Sequence, residues 1–118
     1  MITTIALLKA RDGLSRDAFI DYYEHHHVPL ILSLAPPPDY YARNYLPETG
    51  QRGFPADFDV MTHMKFADES TRRAWLGLVL AEDSGVAEDE ARFLDRSRTR
   101  SWTVEEHIST APGHDSPR

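Results

Sequence analysis

Four stretches of the chain are either alternately or continuously apolar, which predicts four β-strands. Residues 2–10 mix β-branched residues and leucines with no charge before Lys9, a pattern typical of a mostly buried strand. The clearest alternation covers residues 57–66, where even-numbered positions share one face and odd-numbered positions the other. Shorter alternating runs predict strands over residues 40–46 and 98–108.

Apolar residues at helical spacing predict the intervening helices. Ser15 can cap the first helix, which we expect to extend to about Leu34, where three consecutive prolines end it. Pro29 lies inside this helix and cannot donate to the carbonyl of His25, so we expect a local kink among the three histidines. Further helices are predicted over residues 68–80, with Trp75, Leu76 and Val79 facing inward, and over residues 86–95, with Phe93 and Leu94 inward.

The predicted order of elements, β-α-β-β-α-β, is that of the ferredoxin-like α+β fold, with an antiparallel four-stranded sheet. Helices on one face of such a sheet leave the other face bare, and that face carries Met61 and other apolar residues. We therefore expect a second copy to stack on it, which gives a homodimer. The predicted domain covers residues 1–108, and the polar residues 109–118 are expected to form a flexible tail.

Composition narrows the classes of partner. With 118 residues the chain has the length of one domain, and its formal charge of −6 argues against nucleic acid and anionic membranes. No run approaches the roughly 20 apolar residues that span a bilayer, and the N-terminus does not have the pattern of a signal peptide. Cysteine is absent, which excludes disulfides and thiolate chemistry and weakly favours the cytoplasm.

The most distinctive segment is the run of aromatics and histidines that precedes Pro29. In a straight helix His26 would lie nearest the apolar stripe, His27 at its edge and His25 toward solvent. A kink at Pro29 could rotate this arrangement by one position. A titratable group half-buried beside aromatic rings is a candidate acid or base.

Residues 19–31, with the sequence FIDYYEHHHVPLI, resemble the signature of the EthD-like proteins in the dimeric α/β-barrel superfamily. Residues 41–45, Phe58 with Asp59, and residues 89–95 are similar to later parts of the same family pattern, so the resemblance covers most of residues 2–108. It implies a pocket within each monomer, between helices and sheet, and it makes His27 the histidine of the His-x-Pro motif. Relatives include polyketide cyclases, muconolactone-type isomerases, cofactor-free monooxygenases and proteins of unassigned role.

Several residues are candidates for the site. His27 is the candidate general base and His26 its alternative, while Asn44 and Tyr45 could orient a carbonyl and Asp59 could hold a histidine tautomer. Alternation places Asn44 on the face opposite Tyr45, and His63 is a second candidate acid or base. The aromatic residues that could line a pocket for a flat hydrophobic ligand are Phe19, Tyr23, Tyr41, Trp75 and Phe93.

No metal or cofactor is expected. Three consecutive helical residues point about 100° apart, so the three histidines cannot chelate one ion. The spacing of Glu24 and His27 matches that of di-iron bundles, but those need a second copy of the motif and further glutamates. No glycine-rich nucleotide motif occurs in the chain.

The sequence therefore favours a cofactor-independent acid–base enzyme that acts on a small aromatic or polyketide-like molecule, of cyclase, isomerase or lyase type. Two alternatives stay open at this point. One is a ligand-binding or accessory protein of a catabolic or biosynthetic pathway, whose histidines only satisfy hydrogen bonds. The other is an oxidoreductase that uses oxygen without a cofactor, like the monooxygenases of the same superfamily.

Overall fold

The structure is a computed structural model, and it describes residues 1–47 and 57–111. Its elements follow the predicted order, although the first predicted helix is divided by a π-helical turn at Tyr23–His27. The elements are β1 (Ile2–Leu8), α1 (Arg16–Tyr22), α2 (Val28–Leu34), β2 (Tyr40–Tyr45), β3 (Val60–Phe66), α3 (Glu69–Val79), α4 (Val86–Phe93) and β4 (Arg100–Val104).

The four strands form one antiparallel sheet in the order β2-β3-β1-β4. In the central pair Ala6 lies opposite Thr62, so these residues and their even-numbered neighbours share the face on which the helices pack. This arrangement confirms the predicted ferredoxin-like α+β fold. It also confirms that Asn44 lies on the face opposite Tyr45.

All four strands are shorter than predicted, β2 by one residue, β1 by two, β3 by three and β4 by six. β1 ends at Leu8, and Ala10 makes only an isolated bridge with Leu94. Arg98 is not in β4, because Asp95 caps a single 3-10 turn at Arg96–Arg98 before the strand begins. Side-chain hydrogen bonds to the backbone lie just after β1, where Asp59 accepts from the Ala10 N–H, and just before β4, where Asp95 accepts from the Ser97 N–H. The alternation of apolar residues gives no sign of such bonds.

The π-helical turn corrects the prediction for the histidines. The N–H of Val28 donates to the carbonyl of Tyr23, five residues back, so this turn contains one residue more than an α-helical turn. Beyond the turn, every side chain is displaced by about one position relative to a straight helix. His27 is therefore buried and His26 exposed, whereas the straight projection placed His26 nearest the core.

The core consists of two groups of buried side chains on the helix face of the sheet. The first, which we call the aromatic cluster, contains Phe19, Tyr23 and Phe93 together with smaller apolar side chains, and Phe93 is 0% exposed. Its ring centroid lies 4.9 Å from that of His27 and 5.4 Å from that of Tyr23. The second, the aliphatic cluster, joins α2 to α3 and α4 through Ile31, Ala35, Val79 and Val86.

Two predicted features fall largely outside the described residues. The first is the segment at residues 47–55, where prolines and glycines predict a loop that could form a lid or rim of the site. The second is the tail at 109–118, of which residues 109–111 are exposed and without regular secondary structure. Among the helices that the structure describes, none has the length and apolar character needed to cross a membrane.

Because Phe93 has no solvent exposure, Phe93→Ala should create a cavity that the surrounding rings cannot fill. We expect the free energy of unfolding in urea to fall by about 3–5 kcal/mol. Leu78→Ala on α3 is the matched control, since that side chain is 47% exposed, and it should change stability by no more than about 0.5 kcal/mol. Similar losses for the two variants would contradict the assignment of Phe93 to the core.

Candidate functional site

A cavity of about 310 Å³ lies between the helices and the sheet, at the boundary of the aromatic and aliphatic clusters. Most of its wall is apolar, with Leu8 and Met64 from the sheet and Ile31, Val79 and Val86 from the helices. Its wall also contains polar residues, which are Tyr23, His27, Tyr41, Thr62, Glu90, Thr99 and Ser101.

His27 is the buried histidine of the cavity wall, and Asp89 holds its imidazole. The Nδ1 atom lies 2.8 Å from Oδ2 of Asp89, and both side chains are about 8% exposed. The other carboxylate oxygen accepts a 2.6 Å hydrogen bond from the Tyr22 hydroxyl, and Arg92 lies 3.7 Å from the same oxygen. With Nδ1 donating to Asp89, the lone pair of His27 is on Nε2.

Nε2 of His27 is the free side of this imidazole. Within residues 1–47 and 57–111, the only hydrogen bond of the ring is the one to Asp89. Since His27 is part of the cavity wall, Nε2 is the nitrogen that a bound molecule could reach. A buried carboxylate that orients one imidazole nitrogen and leaves the other free is the geometry of a general base.

Asp89 was not among the site residues proposed from the sequence. It lies 62 positions from His27, and only the packing of α4 against the π-helical turn brings the two together. The one available signal was its place in the EthD-like segment at residues 89–95, which does not indicate a partner.

Glu90 follows Asp89 and places a second carboxyl group at the cavity wall. Its Oε1 lies 3.4 Å from Nε of Arg96. Burial raises the pKa of Glu90 above its usual value, although His27 and Arg96 partly oppose this shift. The cavity thus contains an imidazole and a carboxyl group that is harder to ionise than an exposed glutamate.

Two tyrosines, Tyr23 and Tyr41, also line the cavity. The hydroxyl of Tyr23 lies 2.6 Å from Oγ1 of Thr62. Burial raises the pKa of Tyr23 well above its usual value and also raises the pKa of Tyr41. Both phenols therefore stay protonated near neutral pH and can serve as hydrogen-bond donors.

Tyr45, a candidate for orienting a carbonyl, is not among the residues that line the cavity. Its hydroxyl donates to Oε2 of Glu24 at 2.6 Å, and Arg43 binds both oxygens of the same carboxylate at 2.6 and 2.9 Å. Arg43 chiefly lowers the pKa of Glu24, while burial and the bond to Glu24 raise the pKa of Tyr45. Since Glu24 belongs to the π-helical turn, this network ties β2 to the turn that carries His27.

Three other proposed site residues lie away from the cavity. Asn44 is on the opposite face of the sheet, where its amide donates to the Met61 carbonyl at 3.3 Å. Asp59 accepts from the Ala10 N–H at 2.7 Å and pairs with Lys9, and it makes no hydrogen bond to any histidine that the structure describes. The exposed His26 stacks on Tyr22, with ring centroids 4.7 Å apart.

The aromatic candidates divide between wall and core. Tyr23, Tyr41 and Trp75 line the cavity, whereas Phe19 and Phe93 are in the core behind it. His63 lies on the opposite face of the sheet, with Nε2 at 3.6 Å from Glu106. In the described part of the chain, no three histidine or acidic side chains are grouped as metal ligands would be.

Solved structures with the same fold extend over nearly the whole chain. An ethyl tert-butyl ether D (EthD) family protein from Bacillus halodurans has a TM-score of 0.64 at 18% identity, covering 91% of this chain and 100% of its own. HapK from Hahella chejuensis has a TM-score of 0.62 at 14% identity, covering 97% and 100%. An uncharacterized NIPSNAP domain protein from Burkholderia xenovorans has a TM-score of 0.61 at 14% identity, covering 98% and 100%.

At these identities the structural similarity shows that the fold is shared, and it does not show whether any activity is shared. No curated protein matches the sequence of this chain. The family model for the EthD domain matches residues 11–97, a range that contains the π-helical turn, His27 and Asp89. The chain therefore belongs to the EthD domain family.

Proposed function

We propose that this protein is a cofactor-independent acid–base enzyme, in which His27 moves a proton at a carbon next to a carbonyl group. The observation that carries the proposal is the His27–Asp89 pair at the cavity wall, with Nδ1 at 2.8 Å from the carboxylate. The reactions that begin with such a step include isomerisation, elimination and aldol-type cyclisation. The cavity volume of about 310 Å³ and its largely apolar wall suit a small hydrophobic substrate.

In this proposal the neutral imidazole of His27 takes the proton at Nε2. Asp89 keeps the proton of the imidazole on Nδ1 and stabilises the positive charge that develops on the ring. Glu90 in its protonated form can donate to the substrate oxygen, which gains negative charge as the C–H bond breaks. The phenol of Tyr41 is a second donor at the same wall.

We further propose that the protein is a homodimer that forms through the face of the sheet opposite the helices. Trp102 and Tyr40 are on that face and are 49% and 46% exposed in the single chain. Met61 is on the same face, on β3, which lies between β2 and β1. Large apolar side chains grouped on one side of a small domain are typical of an interface.

Replacing His27 with glutamine should abolish proton exchange while the side chain still fills its place. The assay follows deuterium uptake at C1 of 2-tetralone, a small bicyclic ketone, by NMR in D₂O. We expect exchange by the wild type above the buffer rate and a loss of about 10²- to 10⁴-fold in His27→Gln. Asp89→Asn, which keeps the shape but not the charge of the carboxylate, should also lower the rate.

His25→Gln is the matched control, because His25 is exposed in the same turn. This variant should catalyse deuterium uptake by 2-tetralone at the same rate as the wild type. An equal rate in wild type and His27→Gln would eliminate His27 as the base. Binding of the ketone without any exchange above the buffer rate would favour a ligand-binding protein.

The raised pKa of Glu90 predicts a pH-dependent stability. Since its pKa is higher in the folded than in the unfolded chain, the stabilising effect is complete at low pH and is lost as the pH rises through the folded-state pKa. Glu90→Gln should therefore gain stability relative to the wild type at pH 7 and gain less at pH 4, measured by urea unfolding. Glu88→Gln on the exposed side of α4 should show no such difference, and a pH-independent effect of Glu90→Gln would contradict the prediction.

Sedimentation equilibrium should give twice the mass of the chain for the wild type. Trp102→Asp places a charge on the proposed interface and should shift the mass toward the monomer at micromolar concentration. Leu78→Asp, on a helix away from that face, should remain dimeric. A monomeric wild type would refute the dimer but leave the proposed chemistry of each monomer unaffected.

A further inference from the structure

A second cavity of about 210 Å³ adjoins the one that contains His27. It lies between α3 and the other end of the sheet, where Phe66, Arg72 and Thr4 form part of its wall. The two cavities share wall residues, among them Met64, Trp75 and Leu76. Residues of both α3 and the sheet are therefore common to the walls of the two cavities.

Two buried polar atoms at this second cavity have no hydrogen-bond partner within residues 1–47 and 57–111. They are the indole Nε1 of Trp75 and the hydroxyl Oγ1 of Thr4, and both residues belong to the cavity wall. A buried donor without an acceptor costs about 1–3 kcal/mol, so most such groups in proteins are satisfied. Indole can only donate, and a hydroxyl can donate as well, so an oxygen acceptor would satisfy both.

The charge at this end favours a neutral acceptor. Arg72 contributes a guanidinium to the wall, but its Nη1 lies 2.9 Å from Oε1 of Glu69. Because this ion pair already balances the positive charge, an anion has little to gain there. A ketone or other carbonyl oxygen supplies the acceptor without bringing a charge into the apolar space between Phe66 and Leu76.

We propose that the two cavities are the two ends of one binding site for an elongated, multi-ring ligand. Its reacting carbon lies at Nε2 of His27, a placement that rests on the proposed function. Its far end carries a carbonyl oxygen that accepts from Nε1–H of Trp75 and from the hydroxyl of Thr4. Because Nε1 of Trp75 is buried in the unliganded chain, the proposal requires the indole to turn on binding so that its N–H reaches the ligand oxygen.

Two probes of nearly equal shape test the carbonyl subsite, namely 2-acetylanthracene, which carries an acceptor, and 2-ethylanthracene, which does not. Equilibrium dialysis with the wild type should give tighter binding of the acetyl compound. Trp75→Phe and Thr4→Val should each reduce this preference, by about fivefold for a hydrogen bond of ordinary net strength. Leu76→Ala is the control for lost packing, and it should weaken both probes alike because it removes only apolar contact.

NMR provides an independent readout, because the chain has only two tryptophans and therefore two indole N–H signals. The signal that disappears in the Trp75→Phe variant is that of Trp75. This signal should move downfield with 2-acetylanthracene and not with 2-ethylanthracene. Equal affinity of the wild type for the two probes, including no affinity for either, would overturn the proposal. The proposal would also be overturned if Trp75→Phe still preferred the acetyl compound but His27→Gln did not, since the carbonyl would then lie at His27.

Failure of the subsite and failure of the proposed function give different results. If only the subsite is wrong, His27 still controls deuterium uptake by 2-tetralone while the acetyl and ethyl probes bind equally. If only the proton transfer is wrong, the acetyl preference persists and depends on Trp75, but His27→Gln exchanges the ketone like the wild type.

Discussion

The site depends on one backbone hydrogen bond, from the N–H of Val28 to the carbonyl of Tyr23. It closes a turn with one extra residue directly before Pro29, whose missing N–H already prevents a regular helical bond at this point. The extra residue turns His27 inward and His26 outward. The same turn carries Glu24, and its carboxylate is hydrogen-bonded to Arg43 and Tyr45 of β2. The π-helical turn is therefore stabilised by contacts with the sheet as well as by its own backbone hydrogen bond.

Local patterns in the sequence were sufficient for the elements, because strand and helix periodicities are properties of short segments. The alternation over residues 57–66 and the inward positions of α3 and α4 correspond to β3 and to the buried faces of those helices. The inward histidine could not be read from a straight helix, since a π-helical turn adds a residue without altering the pattern of residue types. The proline did indicate where the irregularity would fall.

Contacts between distant segments explain the remaining differences. Asp89 meets His27 only when α4 packs on the π-helical turn, and the bond from Tyr45 to Glu24 joins β2 to that same turn. Asp59 was expected near a histidine but satisfies the backbone N–H of Ala10 where β1 ends. Adjacent carboxyl groups on α4 also differ in ways that spacing does not reveal, because Asp89 is fully hydrogen-bonded whereas Glu90 borders the cavity.

Because the core consists of two clusters, the residues that pack around His27 are largely different from the aliphatic residues that shape the cavity. The rings of Tyr23 and Phe93 in the aromatic cluster contact the imidazole of His27, whereas most of the aliphatic cluster lines the cavity. Exchanging Ile31, Val79 or Val86 for smaller or larger aliphatic residues would reshape the space offered to a ligand and leave the ring packing around the imidazole in place. A lineage built on this scaffold can change the size and shape of the molecules that it accommodates while it keeps the His27–Asp89 pair.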